Sequence, residues 1–273
     1  MGELLFIGLG LYDEKDVTLR GLEEARSCDL LFTELFTSRL MGTTLERLSD
    51  LHGKEIRVLS REEVEGGDLV VEATRRGRVG FLVAGDPMAA TTHVELRLRA
   101  HREDVPTRVI SGVSALTSVA GVLGLQIYKF GRTITIPFRE RGFEPVSPYE
   151  MLGENRSAGL HTLALLDIED DRYMTACEGM EYFLECEAKL SREAFVPETL
   201  VCAVGRLGSP EPLLRADQVK VLLEEDLGPP LHVLVIPGKL HFMEVECLSA
   251  FAGLPEALAQ HLSSEGDRPR SSE

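Results

Sequence analysis

Short apolar runs alternate along this chain with stretches of helical periodicity, and the alternation sets what it can build. LLFIG (4–8), DLLFT (29–33), IRVL (56–59), VGFLVA (79–84) and TRVI (107–110) are too short for buried helices and rich in Val, Ile, Leu and Phe, as strands covered on both faces are. Amphipathic segments at 17–27 and 93–102 fall between them. Strands separated by helices form βαβ units, so a mainly parallel sheet is predicted. Ligands of such sheets bind outside the carboxyl ends of the strands, which directs attention to the loops found there.

The second half repeats the pattern, with strands expected at 161–168, 200–204 and 232–236 and helices at 174–190, 216–225 and over much of 240–259. Between the halves lies GLQIYKFGRTITIPFRERGFEPVSP, full of Gly, Pro and turn residues. Two α/β lobes are therefore expected, 1–112 and 113–262, which suits a length of 273 residues. The final SSEGDRPRSSE (263–273) has no hydrophobic residue to pack and is expected to be disordered.

Several classes are excluded early. No apolar run approaches the roughly 20 residues a membrane helix needs. The opening MGELLFIGLGLYDE carries Glu3 where a secretory leader carries Lys or Arg, so it reads as a first strand. A myristoyl anchor wants Ser or Thr at the position that Phe6 holds. Five cysteines, scattered and without a Cys-x-x-Cys pair, point to neither a disulfide framework nor a zinc site, and to a reducing cytoplasm. A formal charge of −16 opposes broad contact with a nucleic-acid backbone.

The loops after the strands carry the remaining information. FIGLGLYDEKD has Gly8 and Gly10 but Asp13 where a dinucleotide-binding turn has its third glycine. Asp13, Glu14 and Asp16 crowd the helix start that a pyrophosphate would need; they read either as caps of the first helix turn or as part of a phosphate-free site. In FLVAGDPMAATTH, Asp86 stands before Pro87 and reads either as a turn cap or as a ligand contact. Thr91 or Thr92 is expected to cap the next helix, Glu95 lying at capping-box spacing from Thr92, and His93 is expected to be structural. ISGVSAL starts a helix at Ser114, either as an ordinary cap or as amides offered to a carboxylate or a purine edge. Later loops carry Asp167, Arg206 and the Pro-Pro and Pro-Gly brackets of GPPLHVLVIPGK. A rim that is acidic and lacks phosphate clamps suits a cationic ligand such as S-adenosylmethionine better than NAD or ATP.

GLGLYDEKDVTLRGLE, GDPMAATTHVELRLRA, YKFGRTITIP, HTLALLDI and GPPLHVLVIPGKLHFMEVE together resemble the tetrapyrrole-methylase (class III) S-adenosylmethionine-dependent methyltransferases over residues 3–250. Within that group the likeness is to the branch that acts in diphthamide biosynthesis, and Tyr12 in GLGLYD is of the archaeal type. The resemblance implies two α/β/α lobes with the cofactor in a cleft between them, a homodimer, and no metal. It also implies, as substrate, elongation factor 2 whose target histidine bears an amino-carboxypropyl group. The amino nitrogen would be methylated to the trimethylated stage, leaving S-adenosylhomocysteine. Cofactor contacts carried over by motif fall on Leu11, Asp86, Ala89, Ser114, Ala115, Leu166, Leu207 and His232. Ala89, Ala115 and Leu207 depart from the commonest family residues, but contacts of this kind are largely backbone or apolar. No catalytic base is implied. The alternatives are a class III methylase for a small molecule such as a corrin precursor, and a non-catalytic metabolite-binding protein.

Overall fold

The computed structural model describes residues 2–66, 68–139, 145–169 and 171–266. The chain divides between Leu116 and Thr117, against an expected 112/113, and Gly208–Pro210 groups with the first unit.

In that unit β1 (Glu3–Gly8), α1 (Leu19–Ser27), β2 (Leu30–Thr33), α2 (Leu45–His52), β3 (Ile56–Val58) and α3 (Arg61–Gly66) come first. They are followed by α4 (Asp68–Ala73), β4 (Arg78–Val83), α5 (His93–Arg102) and β5 (Thr107–Ile110). The strands lie in the order β3-β2-β4-β1-β5, all parallel. Alternate side chains of β1 enter opposite layers: Leu4 and Phe6 pack with Val64, Val70, Val71 and Leu96, while Leu5 and Ile7 pack with Ala25 and Leu48. That two-sided burial is why the strands read as unbroken apolar runs. Because β1 lies between β4 and β5, the loops that leave these three strands emerge side by side.

The second unit begins within α6 (Ala115–Leu123) and continues through β6 (Ile134–Ile136), α7 (Ser147–Ser157), β7 (Thr162–Leu166), β8 (Ile168–Glu169), β9 (Arg172–Tyr173) and α8 (Ala176–Leu190). It ends with β10 (Leu200–Gly205), β11 (Leu213–Gln218), α9 (Val219–Leu222), β12 (His232–Ile236), α10 (Phe242–Phe251) and α11 (Glu256–Gly266). Its main sheet runs β11-β10-β12-β7-β6, and only β6 and β7 are parallel. The expectation of a repeated parallel pattern is corrected here. So is the helix expected at 216–225: β11 occupies its first part, because pairing with β10 from Leu200↔Gln218 to Gly205↔Leu213 supplies the backbone partners that a helix would have supplied internally.

β6 lies in a segment read as loop, although Ile134 and Ile136 are buried on either side of an exposed Thr135, a short period-two signal. The expected long final helix is two helices, broken where Gly253 takes φ +66° and Pro255 follows. Residues 263–266, expected to be disordered, complete α11, with Ser263 Oγ donating to the Ala259 carbonyl at 2.8 Å. The rest of that expectation, 267–273, lies outside the described residues.

Candidate functional site

At the carboxyl ends of β1, β4 and β5, the loops meet backbone to backbone. A Cβ on Gly8 would stand 2.4 Å from Gly112 N and 2.6 Å from Gly85 O, and one on Gly112 only 2.2 Å from Gly85 O. Only glycine permits that approach. Gly85 N–H donates to Gly10 O at 2.6 Å and Gly10 N–H returns a bond to Gly85 O at 3.3 Å, which stitches the first loop to the second. Gly85 has φ +75° and nothing within 4 Å of where its Cβ would point, so this stretch of backbone presents an open face.

The carboxylates at this rim hold the loops themselves. Asp16 Oδ2 accepts from the N–H groups of Leu11 at 3.1 Å and Tyr12 at 2.7 Å. The amides that a phosphate would seek are therefore taken, while α1 is capped by Thr18, whose hydroxyl accepts from Gly21 N–H at 3.0 Å. Asp86 bridges two loops: Oδ1 accepts from Met88 N–H at 3.0 Å and Oδ2 from Gly112 N–H at 3.3 Å. Ala89 N–H donates to the Asp86 carbonyl at 3.2 Å. Ser114 Oγ accepts from Leu116 N–H at 3.2 Å, as a cap of α6, which opens at Ala115. Leu11, Asp86, Ala89, Ser114 and Ala115 are all half-buried on this rim. Gly208 packs on it as well, with room for a Cβ only 2.7 Å from that of Leu11.

The capping box expected at Thr92 is not formed. Thr92 makes no side-chain cap bond, and His93 N–H instead lies 3.4 Å from Thr91 Oγ1.

In the second unit the remaining candidates gather at one end of its sheet. Leu166 ends β7 and His232 opens β12, which pair antiparallel; Gly205, opposite His232 in register, leads into Leu207. The His232 ring is buried and fully employed: Nδ1 accepts from Ala176 N–H at 3.2 Å and Nε2 donates to the Leu227 carbonyl at 3.1 Å. Burial, the leading cause, holds its imidazole below the usual range, so the ring is a neutral strut and what it can offer a ligand is backbone. Asp167 likewise accepts from Phe138 and Ile168 N–H at 2.8 and 2.9 Å. The acidic rim read from the sequence is thus, at Asp16, Asp86 and Asp167, a set of loop braces.

Two buried acids carry no mark in the sequence. Glu34 and Glu244 are 1% and 0% exposed, while the half-buried Glu187 accepts from the Tyr149 hydroxyl at 2.5 Å and from the Ala194 and Phe195 amides. Glu34 binds the nearby Phe36 and Thr37 amides and Glu244 forms a capping box with His241, but the His93, Lys129 and His161 side chains that face them come from distant segments that no local spacing marks. Among the described residues no group of three or more His, Cys, Asp or Glu could hold a metal, and no helix is long and apolar enough to cross a membrane.

A two-unit α/β fold with glycine loops packed at the strand ends is that of a class III methyltransferase. The chain belongs to the family of tetrapyrrole (corrin/porphyrin) methylases, whose pattern it matches over residues 3–220, and it is a methyltransferase. It is 46% identical over 261 residues to the diphthine synthase of Methanothermobacter thermautotrophicus, covering 95% of this chain and 99% of that one. The diphthine synthase of Methanococcoides burtonii is 45% identical over 265 residues, with 94% and 98% covered. A crystal structure of diphthine synthase superposes with a TM-score of 0.86 at 36% identity, over 94% of this chain and 98% of that one.

Proposed function

We propose that this chain is a diphthine synthase. It methylates the amino group of the amino-carboxypropyl histidine of elongation factor 2, to the trimethylated stage, with S-adenosylmethionine as donor. The observation that carries this reading is identity of 46% sustained over 95% of the chain to a protein of that name. A corrin precursor or another small acceptor would leave that whole-length likeness without an account.

The first unit's rim fits such a cofactor. Its anion-seeking amides at Leu11 and Tyr12 already face Asp16, which disfavours a phosphate, while Gly85 leaves an open backbone face that a cofactor can approach. The cofactor contacts proposed are Leu11, Asp86, Ala89, Ser114, Ala115, Leu166, Leu207 and His232. A homodimer in the cytoplasm, with elongation factor 2 as protein partner, completes the proposal.

When bound, S-adenosylmethionine supplies a methyl carbon open to in-line attack by an amine lone pair. The chain's own contribution is placement, for which loops locked at Gly8, Gly85 and Gly112 are suited, since alignment alone supplies much of the acceleration of such a transfer. The incoming ammonium must lose its proton, and a buried site favours the neutral amine by desolvation. No side chain is assigned as general base.

Intact mass of elongation factor 2 carrying the amino-carboxypropyl group, after incubation with this protein and S-adenosylmethionine, tests the reading. Mass steps of one methyl that vanish when the target histidine is replaced are expected. An unchanged mass, with cofactor binding intact, means another acceptor.

A further inference from the structure

Glu34 directly follows β2 and His93 opens α5, and both are closed to solvent, with exposures of 1% and 0%. Glu34 Oε2 accepts from the Phe36 and Thr37 N–H groups, each at 2.8 Å. Its other oxygen, Oε1, faces His93 Nε2 at 3.6 Å, and both atoms are buried without a hydrogen-bond partner. On the far side of the ring, Nδ1 lies 3.2 Å from the Pro87 carbonyl, which can only accept. Nδ1 therefore carries a hydrogen, and in the neutral ring Nε2 is a lone pair. A carboxylate at Oε1 would set lone pair against lone pair in a dry interior, a costly arrangement. One proton between the two atoms satisfies both, and a movement of less than about 1 Å by the side-chain ends closes the gap to bonding distance.

We propose that Glu34 is a neutral acid whose Oε1–H donates to His93 Nε2, and that this link positions the Gly85–Ala90 loop to receive the cofactor. The link runs from the Phe36 and Thr37 amides through Glu34 and His93 to the Pro87 carbonyl. It ties the loop after β2 to the loop after β4, its neighbour in the sheet. Pro87 stands between Asp86 and Met88, whose own bond shapes the same turn. The Phe81 ring closes the pocket edge-on, 5.0 Å from the His93 ring centroid. Burial, the leading cause for both groups, raises the Glu34 carboxyl and lowers the His93 imidazole, each towards its uncharged form. Glu34 and His93 are thus positioning residues, and their role rests on the reading of Asp86 and Ala89 as cofactor contacts.

The test combines calorimetric binding of S-adenosylhomocysteine to the full chain with nitrogen-15 spectra of its histidines. E34A and H93L should bind roughly tenfold more weakly, by loss of loop placement. E34Q, whose amide donates to Nε2 while its carbonyl serves the two backbone amides, should recover most of what E34A loses; in turnover the loss should appear in KM for the cofactor more than in kcat. The spectra should show His93 protonated at Nδ1 and accepting at Nε2. If E34A binds as wild type does, or His93 carries protons on both nitrogens, the link is overturned while the cofactor reading stands. If wild type itself does not bind, the cofactor reading and the link's role both fall. Should H93L not fold, the contrast between E34A and E34Q decides.

Discussion

At the scale of single residues, the rim depends on what three glycines lack. A methyl at Gly112 would fall 2.2 Å from the Gly85 carbonyl oxygen, so one loop must move. Gly112→Ala should cost about 1–3 kcal/mol or more in denaturant unfolding, as overpacking against backbone does. Gly85→Ala separates stability from function. Its Cβ meets no atom within 4 Å, so only the φ of +75° opposes it, at about 1 kcal/mol. That methyl projects into the face assigned to the cofactor, so S-adenosylhomocysteine affinity should fall well beyond what the small stability loss explains. Equal affinity in calorimetry would remove Gly85 from the site. The aspartates of this rim act by the complementary rule: each sits where backbone N–H groups converge, and its carboxylate closes the turn.

Among the elements, the start of α10 shows how distant segments are tied. Glu244 is fully buried and receives the His161 ring at 3.0 Å, the N–H groups of Gln126 at 2.9 Å and His241 at 2.7 Å, and the Lys129 ammonium. His161 Nδ1 in turn accepts from Gly238 N–H at 2.9 Å, so the ring donates through Nε2. Burial alone would raise this carboxyl; the bonds from His161, Lys129 and the two amides outweigh it and take it from 4.5 to about 2. A folded-state pKa below the unfolded one means the stabilisation is complete above about 4.5 and is lost as the pH falls towards 2. That part of the stability, up to about 3 kcal/mol, should vanish from the acid limb of the wild-type unfolding profile. E244Q should lack this limb and be less stable at neutral pH. YKF and PGKLHF, two of the runs that carry the family resemblance, meet at this carboxylate.

Across the whole molecule, each unit buries its own core: residues such as Phe6, Phe32 and Phe81 in the first, and Tyr149, Phe183 and Phe195 in the second. Cysteines follow these cores rather than pairing. Cys28, Cys186 and Cys202 are buried and Cys177 and Cys247 half-buried, all as free thiols. Burial raises Cys28 to about 11 and moves Cys177 upward too, which keeps both from forming thiolate. A thiol reagent should therefore modify at most Cys177 and Cys247 in the native protein, and all five cysteines after unfolding. Rapid native reaction at Cys28 or Cys202 would mean that the cores open far more readily than their packing implies.

The sequence by itself determined the first sheet, each expected strand falling within one residue of β1 to β5, because a parallel strand covered on both faces must be apolar throughout its length. It determined the positions of the glycine loops as well, since close backbone approach and positive φ demand that residue type. Tertiary structure alone decided that β11 is a strand, because its backbone partners come from β10, and that Asp16, Asp86 and Asp167 brace loops through backbone N–H groups. It also decided the pairing of Glu34 with His93 and of Glu244 with Lys129 and His161. A buried ionisable group depends on the partners that come to it, and here His93, Lys129 and His161 are brought by the fold from far along the chain.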